Sequence, residues 1–256
     1  MLKTPAGPCF TYITKRCTRL PLLTLAAVAL AAAASAQNPL ERYPQNYKQI
    51  LDKPQFSIIR VHYGPNEYVG VHDHSDFPTL FVYLNNSGAV RFRQEGVPPS
   101  TMVRPPARPG AFRYSPGGVE RHSVQNLSDT SSEFLRIELK QFPLEGGEAS
   151  RHNPPETLSA DSTAREFSND QIEVDRVICM PGHTCAVSAD SLPSLLIALS
   201  PVRLSGASDS AGQSIDLGEV KWIEARQPVT VSASGTAPAH LLRVLVKSQR
   251  PATPVN

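Results

Sequence analysis

The chain carries the same pattern of sequence twice. "RVHYGPNEYVGV" at 60–71 aligns with "RVICMPGHTCAV" at 176–187, an offset of 116 that sets Arg60, Val61, Pro65 and Val71 against Arg176, Val177, Pro181 and Val187. Further on, "EFLRIELK" at 133–140 aligns with "HLLRVLVK" at 240–247 at an offset of 107, and "GAFRY" from Gly110 aligns with "GEVKW" from Gly218. Three blocks in one order mark an internal duplication. The offset shrinks by nine between the first and last blocks, so the first copy holds extra residues. The Pro-rich stretch 97–109 is the natural place for most of them, because loops accept insertions at small entropic cost.

A chain of 256 residues duplicated in this way has to fold as two related modules. Both copies consist of short apolar runs broken by turn signals. In the first, "FSIIRVHY" precedes "GPNEY", "TLFVYL" precedes "NNSG", and "AFRY" precedes "SPGG". Runs of four to eight residues at this spacing predict antiparallel strands in a sandwich or barrel. No long 3.6-residue period interrupts them. The expected fold is all-β. The modules are expected at 55–141 and 168–248, with an N-terminal arm at 37–54, a Pro- and Gly-rich linker at 142–167 and a tail at 249–256.

Residues 1–36 read differently. Lys3, Lys15, Arg16 and Arg19 precede the apolar run "LPLLTLAAVALAAAA", which ends in Ala34-Ser35-Ala36. This is the pattern of a secretory signal peptide with its cleavage site. The run is short for a membrane span, and an uncleaved anchor is the alternative. The expectation is export to the periplasm or beyond, with no membrane association after cleavage. The segment holds four of the 25 basic and none of the 23 acidic residues, which leaves the remainder at −2. No basic patch interleaved with aromatics appears, so nucleic acid is excluded as an expected partner.

Two of the four cysteines leave with the signal, and Cys179 and Cys185 remain around "MPGHT". A disulfide across a tight turn suits an oxidising compartment. Cys179, His183 and Cys185 also raise a metal reading, but a zinc site usually takes a second ligand pair, and none is near.

The chemistry-bearing residues lie in the first copy. His72 and His74 are two apart, and on a strand residues i and i+2 project to one face. Two cis ligands of one metal need that arrangement. The plain alternative is a pair of solvated loop histidines beside Asp73 and Asp76. A second block reads "GAFRYSPGGVERHSVQN": Gly110, five residues, Pro116-x-Gly118, then His122, three residues and Asn126.

At these two blocks the sequence resembles the cupin family. His72-x-His74 matches the histidine pair of the first cupin motif. The second block matches the second motif apart from one extra residue before His122. The resemblance implies two cupin-type jelly-roll barrels in tandem, with His72, His74 and His122 as ligands of a divalent metal such as iron, manganese, nickel or zinc. The family's glutamate position falls at Thr79, a poor ligand for such a metal. Asp76 offers a carboxylate only if its loop bends. Three imidazoles alone can form a facial triad with open positions for dioxygen or substrate. In the second copy His72 aligns with Ser188, His74 with Asp190 and Thr79 with Leu195, while His122 falls near Val229. The second barrel is therefore expected to be degenerate. His62, His152, His183 and His240 lie outside the motifs and read as surface or turn histidines.

Thr79, Phe81 and Tyr83 share one strand parity, and Phe112 and Tyr114 share another face; these five are the pocket candidates, against an ordinary barrel core. Leu80, Val82 and Leu84 are apolar on the opposite parity, so the outer face of that strand has to be covered, by the second module or by a second copy in a homodimer. The expected activity is a mononuclear, dioxygenase-like reaction on a small organic molecule. A non-enzymatic small-molecule or sugar-binding protein, and a structural module with a relic site, are the alternatives.

Overall fold

The computed structural model describes residues 38–140, 149–188, 190–206 and 212–247. The expected signal peptide at 1–36 and the tail at 249–256 lie outside the described residues. No helix among the described residues is long and apolar enough to cross a membrane.

A four-residue helix α1 (Pro39–Arg42) leads into the first module. Its strands are β1 (Tyr47–Asp52), β2 (Phe56–Tyr63), β3 (Tyr68–His74), β4 (Thr79–Tyr83), β5 (Val90–Gln94), β6 (Ser100–Arg104), β7 (Phe112–Ser115), β8 (Glu120–Asn126) and β9 (Ser132–Leu139). A short β10 (Ser150–His152) follows. The second module consists of β11 (Ser162–Ser168), β12 (Ile172–Cys179), β13 (Thr184–Val187), β14 (Ser194–Ala198), β15 (Val202–Gly206), β16 (Gln213–Ile215), β17 (Val220–Ile223), β18 (Val229–Ala233) and β19 (Ala239–Val246).

The first module has a large sheet in the order β1-β2-β9-β4-β7-β10 and a small sheet in the order β3-β8-β5-β6. The second has β11-β12-β19-β14-β17 and β13-β18-β15-β16. Adding ten to each strand number converts one module into the other. Among the described strands only β10 has no counterpart. The two halves are two-sheet jelly rolls, all antiparallel, as the duplicated turn-and-strand pattern predicts.

Two expectations need correction. The arm at 37–54 contains β1, which pairs along β2 from Tyr47↔Val61 to Asp52↔Ser57. The linker at 142–167 contains β10 and most of β11. Both segments alternate polar and half-buried positions too weakly to stand out as strands, and they form at sheet edges, where pairing needs only one neighbour.

The large sheets of the two modules pack against each other. One apolar core joins Ile58, Leu80, Val82 and Ile137 of the first module to Val174, Leu195, Ile197 and Val244 of the second. This explains why β4, β14 and β19 are buried at every position: each lies between its own barrel core and the shared layer. The second module thus covers the outer parity of β4. The contact is pseudo-symmetric. Gly110 (φ +80°) lies against Leu199 and His240, and its repeat equivalent Gly218 (φ +79°) lies against Leu84 and Arg60. A Cβ at Gly110 would come within 2.9 Å of both neighbours, so glycine is required there by backbone conformation and by space.

A disulfide joins Cys179 and Cys185 across the turn between β12 and β13. His183 beside it is exposed and bonds Asp161. His62 is half-exposed against Glu133. Two other histidines are not on the surface as expected. His240 is buried and contacts Arg176 through Nε2 at 2.7 Å, and His152 stacks on Phe112 with ring centroids 4.6 Å apart. Both make contacts with residues distant in sequence, which no local pattern encodes.

Candidate metal centre

The site forms where the end of β3 meets the start of β8. In their register Val69 pairs with Val124, but His72 pairs with His122, so β3 carries one extra residue in a β-bulge. A bulge bends its strand and re-aims the side chains beyond it. Gly70 sits in the bulge, where a Cβ would collide with the Tyr43 hydroxyl. Its carbonyl accepts a hydrogen bond from His72 Nδ1 at 2.8 Å. That bond fixes the tautomer and leaves the lone pair of His72 on Nε2.

Three imidazoles converge there. The nitrogens of His72, His74 and His122 that could ligate an ion all lie within 4.8 Å of one another. His72 Nε2 and His74 Nε2 are 3.1 Å apart. The ring centroids are separated by 4.8 Å (His72–His74), 4.9 Å (His72–His122) and 5.2 Å (His74–His122). Burial lowers the pKa of all three, in His122 to about 4, with smaller contributions from neighbouring positive charge. At neutral pH the rings are uncharged and no proton has to be displaced to bind a cation.

His122 tests whether a metal fits. It is buried, yet both of its ring nitrogens lack a hydrogen-bond partner. A buried unsatisfied polar atom costs about 1–3 kcal/mol. A cation that takes one lone pair from each of the three imidazoles accounts for one of the two His122 nitrogens. Imidazole nitrogen is a good donor for iron, manganese, nickel or zinc.

Sequence reasoning missed several residues of the site. The Tyr47 hydroxyl lies 2.8 Å from His72 Nε2 and 2.8 Å from the Tyr63 hydroxyl. Burial raises the pKa of both phenols, so they remain protonated. Tyr47 lay in the segment read as an arm, and only the pairing of β1 carries it into the barrel. Glu120 stands two residues before His122 on β8, a parity that could have flagged it. Its carboxylate is held by Arg136 at 2.7 Å. Burial pushes that carboxyl up, but Arg136 outweighs it and holds Glu120 below the usual carboxylate range. Arg136 also donates to Glu138 at 2.8 Å. Asp76 is exposed and stands apart from the three rings.

The five pocket candidates divide. Phe81 and Tyr83 line a cavity of about 120 Å³ that opens beside His74 and His122. Thr79 shares their parity but sits at the end of β4, its hydroxyl donating to the Phe77 carbonyl at 2.9 Å. Phe112 and Tyr114 do not face the cavity. They pair with Val82 and Leu80, and directly opposed residues on an antiparallel pair share a face, so both point into the layer between the modules. The Tyr114 hydroxyl donates to Gln171 at 2.6 Å. The inward residue of β7 is Arg113, opposite Phe81. Amphipathic parity misleads here because both faces of β7 are covered.

No family model matches the sequence, and no curated protein matches it. Solved structures do. YhaK from Escherichia coli matches with a TM-score of 0.56 at 12% identity, over 79% of this chain and 92% of that one. AerE from Microcystis aeruginosa matches with a TM-score of 0.56 at 11% identity, over 79% and 98%. The oxalate decarboxylase of Lactobacillus farciminis, in a formate complex, matches with a TM-score of 0.51 at 14% identity, over 76% and 78%. The chain has the two-barrel cupin fold. At these identities the likeness extends to the fold alone.

Only the first of the two cupin barrels has the histidines. Where β3 and β8 set His72 opposite His122, the equivalent β13 and β18 set Val187 opposite Val229, and no bulge interrupts their register. The structural partner of His72 is therefore Val187 rather than Ser188. Likewise Thr79 pairs with Glu138 and Ser194 with the equivalent Leu245, so Thr79 corresponds to Ser194 rather than Leu195. Linear alignment could not see the bulge.

Proposed function

We propose that this chain is an exported metalloprotein that binds one first-row divalent metal in its N-terminal cupin barrel and acts on a small organic molecule in a dioxygenase-like reaction. His72, His74 and His122 hold the ion. The observation that carries this reading is His122, a buried ring without a hydrogen-bond partner that brings one nitrogen within 4.8 Å of the ligand nitrogens of two further neutral imidazoles. Export is proposed from residues 1–36 and fits the Cys179–Cys185 disulfide, which suits an oxidising compartment.

A bound metal would supply Lewis acidity and open coordination positions. The protein supplies the rest. His72 is oriented by the Gly70 carbonyl. The Tyr47 hydroxyl presents a protonated phenol at the edge of the site, backed by Tyr63. Glu120 stays ionised against Arg136 and is engaged, so the donor set is neutral and the ion keeps its full charge toward an incoming ligand. Phe81, Phe92 and Phe134 wall the cavity with apolar surface that limits water. The second barrel supports the first through the shared apolar layer.

Elemental analysis of the purified protein tests the proposal. The expected result is about one iron, manganese, nickel or zinc per chain, lost in His122→Ala while the fold persists by circular dichroism. Metal content unchanged in that variant, or no metal after anaerobic reconstitution, overturns it. With the metal established, oxygen consumption on a panel of diketones, thiols and phenols separates an enzyme from a binding protein.

A further inference from the structure

The cavity beside the metal centre is rich in positive charge. Arg104, Arg113, Arg136 and Arg151 line it, and Glu120 is its acidic member. Arg136 is neutralised by Glu120 and Glu138. The other three have no carboxylate partner among the described residues.

Their settings differ. Arg104 is buried, and its guanidinium donates only to neutral acceptors, the hydroxyls of Ser87 and Ser132 and the Gly88 carbonyl. A buried charge without a counter-charge is costly. The equivalent position on β16 is Ile215, paired with Val202 as Arg104 is with Val90, so the fold accepts an aliphatic side chain there. Arg113 packs over the Phe81 ring at 4.2 Å, and its buried Nε has no hydrogen-bond partner. Arg151 lies directly opposite Arg113 across the β10–β7 pair. Like charges in that position destabilise a sheet. Arg151 comes from β10, the strand the second module lacks.

We infer that Arg104, Arg113 and Arg151 form a receptor for the carboxylate of a small organic anion whose apolar, aromatic-sized body lies against Phe81, Phe92 and Phe134 beside the three histidines. A compensating anion accounts for three guanidiniums that have no carboxylate partner among the described residues. Arginine offers the planar fork that a carboxylate matches. The cavity of about 120 Å³ limits the body to roughly one ring, since a cavity of about 150 Å³ holds benzene. This names the substrate class of the proposed site and rests on that reading for its catalytic meaning, but its binding step depends only on the arginines.

Titration calorimetry with benzoate, and with benzamide as its neutral isostere, tests the inference on the full protein with and without metal. Benzoate should bind, and benzamide at least about tenfold more weakly, since a hydrogen bond to a charged group contributes about 1.5–3 kcal/mol. Arg113→Gln and Arg104→Gln should each weaken benzoate about tenfold or more. Arg151→Glu, at an exposed position, should weaken benzoate without touching the core, and keeps the test alive if Arg104→Gln fails to fold. No benzoate binding, equal binding of benzamide, or unchanged affinity in both Arg113→Gln and Arg151→Glu overturns the receptor. Benzoate binding that persists in metal-free His122→Ala supports it even if the metal reading fails. Binding that vanishes with the metal assigns the attraction to the ion and overturns it.

Discussion

In the N-terminal barrel, strands β3 and β8 set His72 opposite His122; in the C-terminal barrel the equivalent strands set Val187 opposite Val229. The difference extends through the interior. By strand register, Tyr47 corresponds to Thr163 and Phe81 to Leu196. Tyr83 corresponds to Ala198 and Phe134 to Leu241 by the same pairings. Phe81, Tyr83 and Phe134 give way to aliphatic residues and Tyr47 to an exposed threonine, and the C-terminal core closes around Val177, Leu196, Val231 and Leu241. Arg136 and Arg243 are also equivalent, and both are buried and paired with acids, Arg243 with Asp175 at 2.7 Å. A buried arginine at that position therefore belongs to the scaffold. The histidines, Tyr47 and Arg104 belong to the first barrel alone, whereas Arg113 corresponds to another cation, Lys221. One topology thus supports a packed core or an open polar site, and the filling decides which.

The sharpest way to break this comparison is to try to move the site. Val187→His with Val229→His puts two imidazoles opposite each other in the second barrel, but without the bulge or a third ligand. The expected metal content stays at that of the parent protein, whereas His72→Ala in the first barrel reduces it from about one per chain to under about a tenth. A second equivalent of metal in the double variant would show that the bulge is not what matters.

The filling itself can be weighed next. Leu196→Ala should cost about 2–5 kcal/mol, because it empties space in a closed aliphatic core. Phe81→Leu, at the wall of an existing cavity, should cost under about 1.5 kcal/mol. Urea unfolding reads both; equal losses would mean that the two interiors are packed alike.

The disulfide distinguishes the modules more modestly. Its two cysteines are six residues apart in sequence. Cys185→Ala should lower stability by about 2 kcal/mol, the entropy of closing so short a loop in the unfolded chain. Metal content should not change, and a parallel loss of metal would show that the second barrel does more than support the first.

The last contrast is in pH dependence. Burial, with Arg176 beside it, lowers the pKa of His240 from 6.5 to about 4, and burial lowers His122 to a similar value. Between these limits the unfolded chain binds protons that the folded chain does not. Stability is therefore complete above about pH 6.5 and falls as the pH drops toward 4. Thermal melts of the metal-free protein should show this slope, and His240→Gln should reduce it. A melting temperature flat from pH 6.5 to 4 would mean that neither ring is held neutral.

What could be read without coordinates was local or repeated. The duplication and the short strands between turns fix an all-β fold in two copies. His72 and His74 share a face because alternation along a strand is a property of the backbone itself. Cys179 and Cys185 lie close enough along the chain to meet across any tight turn. The tertiary structure decided everything that depends on which strand lies beside which. The bulge that aims His72 at His122 shifts register by one residue and leaves no trace in composition. The pairing of β1 brings Tyr47 to the site from a segment that reads as an arm. Phe112 and Tyr114 turn outward and Arg113 inward because the second module covers the outer face with apolar surface. When both faces of a strand are buried, alternation in hydrophobicity no longer distinguishes inside from outside. Only the packing of one sheet on another does.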